Sequence, residues 1–556
     1  MRFSRNQATS QIEELREAAE LRDAIRRSKD EGVPCFKERI SPTQEALTVI
    51  PEEVAKGAGV AIVAKDDKDI VLVAESTKSK KAAEIISELK KNGYNLKIFI
   101  TTKTELSRLW ERYSQAETAE KRTEVSEKVE IEKEVAEEIR NKLKTRDEAV
   151  GFFKNIQGEV PTSTLLGYIL GAALALRASD IHIEQTKEKN SLIRIRIDGE
   201  LRDITNFSER QTELLVNRIK LLSGLKLNIR DAAQDGRFTI ENEAGVIEVR
   251  ASVVPAEFGE AVVMRVLDPS IIGLELEDLG LRKDDEELIG QELKRPNGMI
   301  LVTGPTGSGK TTTLYAFLKK LQSRKIKIIT IEDPIEYHVE GIEQTQTDTK
   351  NNYTFASGLR SILRQDPDVI LIGEIRDTET AGVSVDAALT GHLVLSTLHT
   401  NDAAGAIPRL VDLEVRPSAI GPAVALIIAQ RLVRKLCPKC GRKKEISGGL
   451  IDKIGKFKAG LPKKVPREIM EKGLYEARGC LECEEGFMGR IAIMEIIKIT
   501  DEMDSLIRKK ATERDIKKEA AEKQGMVLMQ EDGIIKALQG ITTLEEVEKV
   551  TGPIEW

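Results

Sequence analysis

Residues Gly304–Thr312 read GPTGSGKTT and satisfy the pattern G-x-x-x-x-G-K-[ST]. The chemistry follows from the residue types at that spacing. Gly304, Gly307 and Gly309, with Pro305, Thr306 and Ser308 between them, let the main chain turn its N–H groups inward around phosphate oxygens. Lys310 adds a mobile positive charge for the β- and γ-phosphates, and Thr311 offers a hydroxyl to Mg²⁺. Thr312 continues into a helix whose positive dipole end faces the anion. The motif points to ATP with Mg²⁺. Its flanks support that reading: Met299–Thr303 is an apolar strand entering the loop, and Thr311–Leu321 has helical character leaving it.

Three later segments carry polar residues at the ends of apolar strands. KIKIITIEDPIEY ends in Glu332, Asp333 and Glu336, with Pro334 stopping the strand. DVILIGEIRD is a near-continuous apolar run, as a strand buried on both faces requires, and ends in Glu374, Arg376 and Asp377. HLVLSTLHTND is bracketed by His392 and His399. Ligands sit at the C-terminal ends of strands in open α/β sheets. Phosphoryl transfer to water needs a group that orients the water and a carboxylate near Mg²⁺. Glu336 and Glu374 are the candidates for those two tasks, Glu332 is a candidate binding residue, and His392 and His399 are candidates for sensing the γ-phosphate. Asp368, earlier on its strand, reads as structural.

Cys437-x-x-Cys440 and Cys480-x-x-Cys483 form two knuckles separated by a long spacer. Four thiolates suit a closed tetrahedral Zn²⁺ site that is structural and has no open position for chemistry. A redox pair would need one knuckle, and two are present. Cys35 stands alone and reads as a free thiol.

These residues need a multidomain α/β scaffold. The 556 residues suffice for three or four domains. Residues 1–45 are polar and read as an N-terminal arm that begins as a helix. Residues 46–113 hold two short strands (GVAIVAK, DIVLVAE), a helix (KKAAEIISELKKNG) and a third strand (NLKIFITT), and read as a small adaptor domain. Residues 114–159 are dense in Glu, Lys and Arg at helical spacing and read as a charged helical linker. Residues 160–273 open with the apolar helix TSTLLGYILGAALALRA, continue in strands, and carry a turn at Gln234–Arg237. The P-loop core is expected over 274–430, the zinc insert over 431–490 and a helical C-terminal region over 491–556. A net charge of −6 gives no global basic field for nucleic acid, and 4% aromatics gives little base stacking. No apolar run reaches the length of a membrane helix, and the N-terminus lacks the apolar core of a signal peptide, so a cytoplasmic location is expected.

Together, GPTGSGKTT, TIEDPIEY, DPDVILIGEIRDTETA and ALTGHLVLSTLHTND resemble the secretion ATPase superfamily, and more closely its type II secretion and type IV pilus assembly motors. The resemblance extends to ASDIHIE, RIDGEL, QDGRF, EFGEAVVMRVLD and GRIAIMEIIKITDE, and so covers roughly residues 160–556. Residues 47–113 look more loosely like the family's N-terminal adaptor. The resemblance implies a RecA-like P-loop ATPase core preceded by a PAS-like α/β domain. It implies that Glu336 is the catalytic base, that Glu374 ends the Walker B strand, and that His392 and His399 belong to a histidine box. It also implies that Arg250 and Arg265 reach the nucleotide from the preceding domain. A guanidinium there would spread positive charge over the transferring phosphoryl group; the alternative for each arginine is a structural salt bridge. The cysteine insert and long N-terminal region mark the assembly motors. By the same resemblance the protein is expected to be a homohexamer at the inner membrane. Its core would close on the preceding domain across a linker near Leu274–Asp285, drive a platform protein, and dock a membrane-bound partner through its N-terminal domain. Alternatives are a nucleotide-regulated scaffold and a retraction or DNA-handling RecA-like ATPase.

Overall fold

The computed structural model describes residues 19–36, 46, 49–50, 52–66, 68–110, 128–130, 138–139, 142–143, 145–156, 160–188, 190–242, 245–267, 275–483 and 485–556. The chain divides into two compact units, Met1–Glu127 and Lys128–Trp556. No helix among the described residues is long and apolar enough to cross a membrane.

The first unit contains helix α1 (Glu52–Ala58), strands β1 (Val60–Asp66) and β2 (Asp69–Ala74), helix α2 (Lys80–Lys91) and strand β3 (Asn95–Ile100). The sheet order is β1-β2-β3, with β1 antiparallel and β3 parallel to β2. Ser79 caps α2 by accepting from Ala82 N, and the helix buries Ala82, Ile85 and Leu89. These pack with Val60, Ile62, Ile70 and Leu72 in one cluster. The strands fall where the alternating pattern predicts them. The start of the N-terminal arm lies outside the described residues; its described part, 19–36, contains a helix over 19–31 and packs on this unit. Arg27 pairs with Glu75 at 3.2 Å, Glu31 accepts from Ser76 and Thr77, and Phe36 N donates to Ile100 O. Charged side chains of the polar arm are used here as anchors.

The second unit has two sheets. The first has the order β4-β8-β9-β10-β5-β6-β7: β4 (Lys128–Glu130), β5 (Asp180–Gln185), β6 (Ser191–Ile197), β7 (Glu200–Phe207), β8 (Gln234–Asn242), β9 (Gly245–Ala256) and β10 (Gly259–Leu267). Helices α3 (Arg146–Asn155), α4 (Thr162–Ala175) and α5 (Glu209–Leu222) join it. Leu165, Leu166, Ile169 and Leu170 of α4 share a core with Ile181, Ile183, Ile193 and Ile195. Two expectations change. The charged segment 114–159 is not all helix, since Lys128–Glu130 pairs with β8, and α3 buries Phe153 in the core; its residues 114–127 lie outside the described ones. The Gln234–Arg237 turn is instead the start of β8. Gly236 is required there by close approach, because a Cβ would meet Ser223 O at 2.2 Å.

The second sheet has the order β13-β12-β14-β15-β11-β16-β19: β11 (Gly298–Thr303), β12 (Ile328–Glu332), β13 (Glu343–Gln346), β14 (Val369–Ile372), β15 (Leu393–Leu398), β16 (Val424–Leu436) and β19 (Phe487–Lys498). All neighbours are parallel except β16 and β19. Helices α6 (Lys283–Glu292) and α7 (Lys310–Leu321) cover one face, with Ile289, Leu314, Phe317 and Leu318 packed on Ile300 and Leu371. Helices α8 (Phe355–Ile362) and α9 (Thr378–Leu389) cover the other, where Leu359, Ile362 and Val385 meet Leu301 and Ile370. Every residue of β11, β14 and β15 is buried, which explains their unbroken apolar sequences. The cysteine insert leaves between two neighbours of this sheet, β16 and β19, and contains the short pair β17 (Arg442–Lys443) and β18 (Tyr475–Glu476). Residues 491–498 are therefore sheet, not part of a helical tail. Of the expected linker Leu274–Asp285, residue 274 lies outside the described residues, but Leu276 and Leu279 are buried and Asp285 pairs with buried Arg282.

Candidate functional site

The parallel register brings the C-terminal ends of β12, β14, β15, β11 and β16 to one edge. Thr303 leads from β11 into the loop, and its hydroxyl contacts Thr400 Oγ1 at 2.7 Å, beyond the end of β15. Gly304, Gly307 and Gly309 have φ of 149°, 79° and 88°, a region L side chains rarely adopt. Pro305, Thr306, Thr311 and Thr312 complete the loop and the first turn of α7. Lys310 Nζ donates to Gly304 O at 2.9 Å and Pro305 O at 3.1 Å. Burial pulls its pKa below the ordinary lysine value, and Glu374 partly offsets this. Ser308 Oγ is buried with no hydrogen-bond partner. A loop with left-handed glycines, an ammonium at its mouth and the N-terminus of α7 behind it fits a polyphosphate.

Glu374 follows β14. Its Oε1 pairs with Arg376 at 2.5 Å, and its Oε2 lies 3.2 Å from His399 Nε2. The carboxylate is 13% exposed, shielded between two cationic or polar partners. Glu336, beyond β12, lies 3.7 Å from Arg250 Nη1. Arg250 also pairs with Glu248 at 3.0 Å and donates to Ile335 O. One predicted arginine thus bridges the two sheets at a predicted acid. Arg265 is not brought to the loop residues; its Nε donates to Asp180 at 3.2 Å, and the side chain is 54% exposed. Arg196 holds the other oxygen of Asp180 at 3.3 Å.

Two candidates are corrected. Glu332 is 3% exposed, and its oxygens accept from Tyr315, Thr330 and Gln344. It fastens α7 to the acidic strand and has no face for a ligand. Beside it, burial and the Glu332 charge raise the pKa of Tyr315 well above the usual phenol range. His392 precedes β15, and its carbonyl accepts from Gly298 N at the entry of β11. The six residues of β15, roughly 20 Å of extended chain, separate it from His399. It therefore lies at the opposite edge of the sheet from the loop. Asp368 accepts from Lys327 N at 2.7 Å, the structural part expected of it.

The four cysteines of the insert converge. Cys437–Cys480 Sγ atoms are 3.9 Å apart, Cys440–Cys483 3.5 Å and Cys480–Cys483 3.5 Å. Four sulfurs at about 2.3 Å from one zinc would be about 3.8 Å apart, so the set fits a tetrahedral ion. Burial, with hydrogen bonds from the Cys483 thiol to Cys480 and Cys440, pushes that thiol up to about 12. Four sulfurs this close need a cation to be held as thiolates.

Residues 155–549 match the model of the Type II/IV secretion system protein family. The chain belongs to this family. Over 396 residues it is 44% identical to the type II secretion system protein E of Pseudomonas aeruginosa, covering 71% of this chain and 76% of that one. It is 37% identical over 547 residues to the type IV pilus assembly ATPase PilB of Myxococcus xanthus, covering 97% of this chain and 92% of that one. The X-ray structure of the Legionella pneumophila ATPase DotB shares its fold, with a TM-score of 0.52 and 22% identity over 71% of this chain and 97% of that one.

In this secretion-family chain, sequence reading misses the residues that tie these elements together. Asp180, within ASDIHIE, positions Arg265. Arg434 pairs with Glu546 at 2.6 Å and with Glu200 at 3.2 Å, and stacks on Phe487. Gln430 interrupts the buried run VALIIA, and that interruption is the signal that could have found it.

Proposed function

We propose that this chain is the ATP-hydrolysing motor of a machine that assembles type IV pili or a type II secretion pseudopilus. It is an ATPase of the secretion or pilus-assembly kind. The observation that carries the proposal is the sheet edge that holds the Gly304–Thr312 loop and the Glu374–His399 pair, with the Arg250–Glu336 contact beyond the end of β12.

In this reading the loop N–H groups and Lys310 bind the β- and γ-phosphates. Mg²⁺, when bound, neutralises charge on the phosphates, with Thr311 and Glu374 on its side. Glu336 orients the attacking water, and Arg250 holds Glu336 in place from the preceding domain. Arg265 stands ready on the same sheet face. His399 fixes the Glu374 carboxylate. The cysteines hold a structural zinc. The domain before the core is PAS-like, the working assembly is a homohexamer, and the first unit docks a membrane-bound partner. The motor acts from the cytoplasm on an inner-membrane platform protein.

The test is phosphate release from Mg-ATP by the purified protein. Steady release that Lys310→Ala abolishes is expected. Absence of release, or release unchanged by Lys310→Ala, would leave a nucleotide-regulated scaffold as the better reading.

A further inference from the structure

Gln430 sits on β16, beside β11, and is 2% exposed. Its Nε2 donates to Ser308 O at 2.7 Å, and its Oε1 accepts from the Thr313 hydroxyl at 2.8 Å. One amide thus spans the phosphate loop and the first turn of α7. It donates through its nitrogen on one side and accepts through its oxygen on the other, two separate atoms that a primary amide carries at a fixed spacing.

The loop is shaped around this residue. A Cβ on Gly304 would sit 2.6 Å from Gln430 O, and one on Gly309 would sit 2.8 Å from Gln430 Nε2. The glycines serve close approach to Gln430 as well as backbone freedom. Gln430 is tied from the other side too. Its carbonyl accepts from Arg431 Nη1 at 3.1 Å, and Arg431 Nη2 reaches Asn401 O at 3.0 Å, just past His399.

The bond to Ser308 has a directional consequence. In a trans peptide the carbonyl and the following N–H point opposite ways. Drawing the Ser308 carbonyl toward β16 turns the Gly309 N–H away from β16. We propose that Gln430 is a positioning residue for the nucleotide, fixing the Ser308–Gly309 peptide so that the Gly309 N–H donates to the triphosphate. This rests on the nucleotide reading above and acts through the loop, without contact to the substrate.

Gln430→Glu tests it, because the carboxylate still accepts from Thr313 but repels the Ser308 carbonyl. Gln430→Met serves as a second variant that keeps length and removes both bonds. Mg-ATP and Mg-ADP affinities, KM, kcat and the melting temperature without nucleotide are measured on the full chain. Either folded variant is expected to raise the Kd for both nucleotides, and KM, by about tenfold or more, while kcat at saturation falls less than about threefold. A purely structural role would lower the melting temperature and leave Kd unchanged. A Kd within about twofold of the native value in Gln430→Met, or in folded Gln430→Glu, overturns the proposal. Lys310→Ala is measured alongside. If it also binds Mg-ATP normally, the nucleotide reading itself fails. If it loses binding while the Gln430 variants keep it, only the positioning role fails.

Discussion

Glu374 has partners on both oxygens, and His399 supplies one of them from the neighbouring strand. A carboxylate held this way is pre-aimed, so little reorganisation is needed when charge develops nearby. Glu374→Gln keeps the shape and removes the charge. It is expected to bind ATP and to lower kcat by about a hundredfold or more, as read by nucleotide binding and phosphate release. His399→Ala, which removes one partner, should lower kcat by about tenfold. His392→Ala should leave kcat and KM within about twofold of the native values, because the residue lies at the far edge of the sheet. A strong kinetic effect of His392→Ala would return it to the site.

At the level of elements, the segment before β11 is more tightly held than a linker. Arg282 pairs with Asp284 at 3.1 Å, with Asp285 at 2.5 Å, and with Asp532 at 3.0 Å on helix α10 (Met529–Leu538). Lys536 neutralises Asp532 at 2.6 Å, and Lys464 reaches Asp284 at 3.3 Å. Burial, partly opposed by Arg282, raises the Asp285 pKa from 3.8 to about 7. An acid whose folded pKa lies above its unfolded value takes up protons on folding. Its stabilising share is present below 3.8 and is lost as pH rises to about 7. Asp285→Asn should therefore flatten the fall of melting temperature across that window, measured by thermal denaturation at several pH values. An unchanged pH profile would show that Asp285 is ionised throughout.

Across the whole second unit, the cysteine insert is part of a junction. Glu485 follows the second knuckle and pairs with Arg202 at 2.7 Å and with Arg434 at 3.8 Å. Gly489 N donates to Asp198 at the β6–β7 turn, and Lys549 reaches Glu200 at 3.1 Å. These contacts join the first sheet, the insert and the C-terminal helix Leu544–Thr551. Metal analysis should find about one zinc per chain. Stripping it with a chelator should lower the melting temperature and reduce phosphate release, because the insert then releases its hold on the β6–β7 turn. Metal-free protein of unaltered stability would exclude a structural ion.

Much of this was legible in the chain itself. GPTGSGKTT fixed the loop because its glycines and lysine are local requirements of phosphate binding. Glu374 and His399 were legible because buried parallel strands must be apolar until they reach the sheet edge. The paired cysteine knuckles were legible because metal ligands have narrow spacings. What needed the tertiary structure was direction and company. His392 and His399 bracket one strand in sequence, yet a strand's two ends face opposite edges of a sheet. Glu332 and Glu336 share one acidic segment, yet only the fold turns Glu332 inward onto Tyr315 and leaves Glu336 beside Arg250. Gln430 lies 121 residues after Gly309, and no local pattern connects them. Parallel pairing of β16 with β11 does, because sheet neighbours are chosen by packing and hydrogen bonding across the whole molecule.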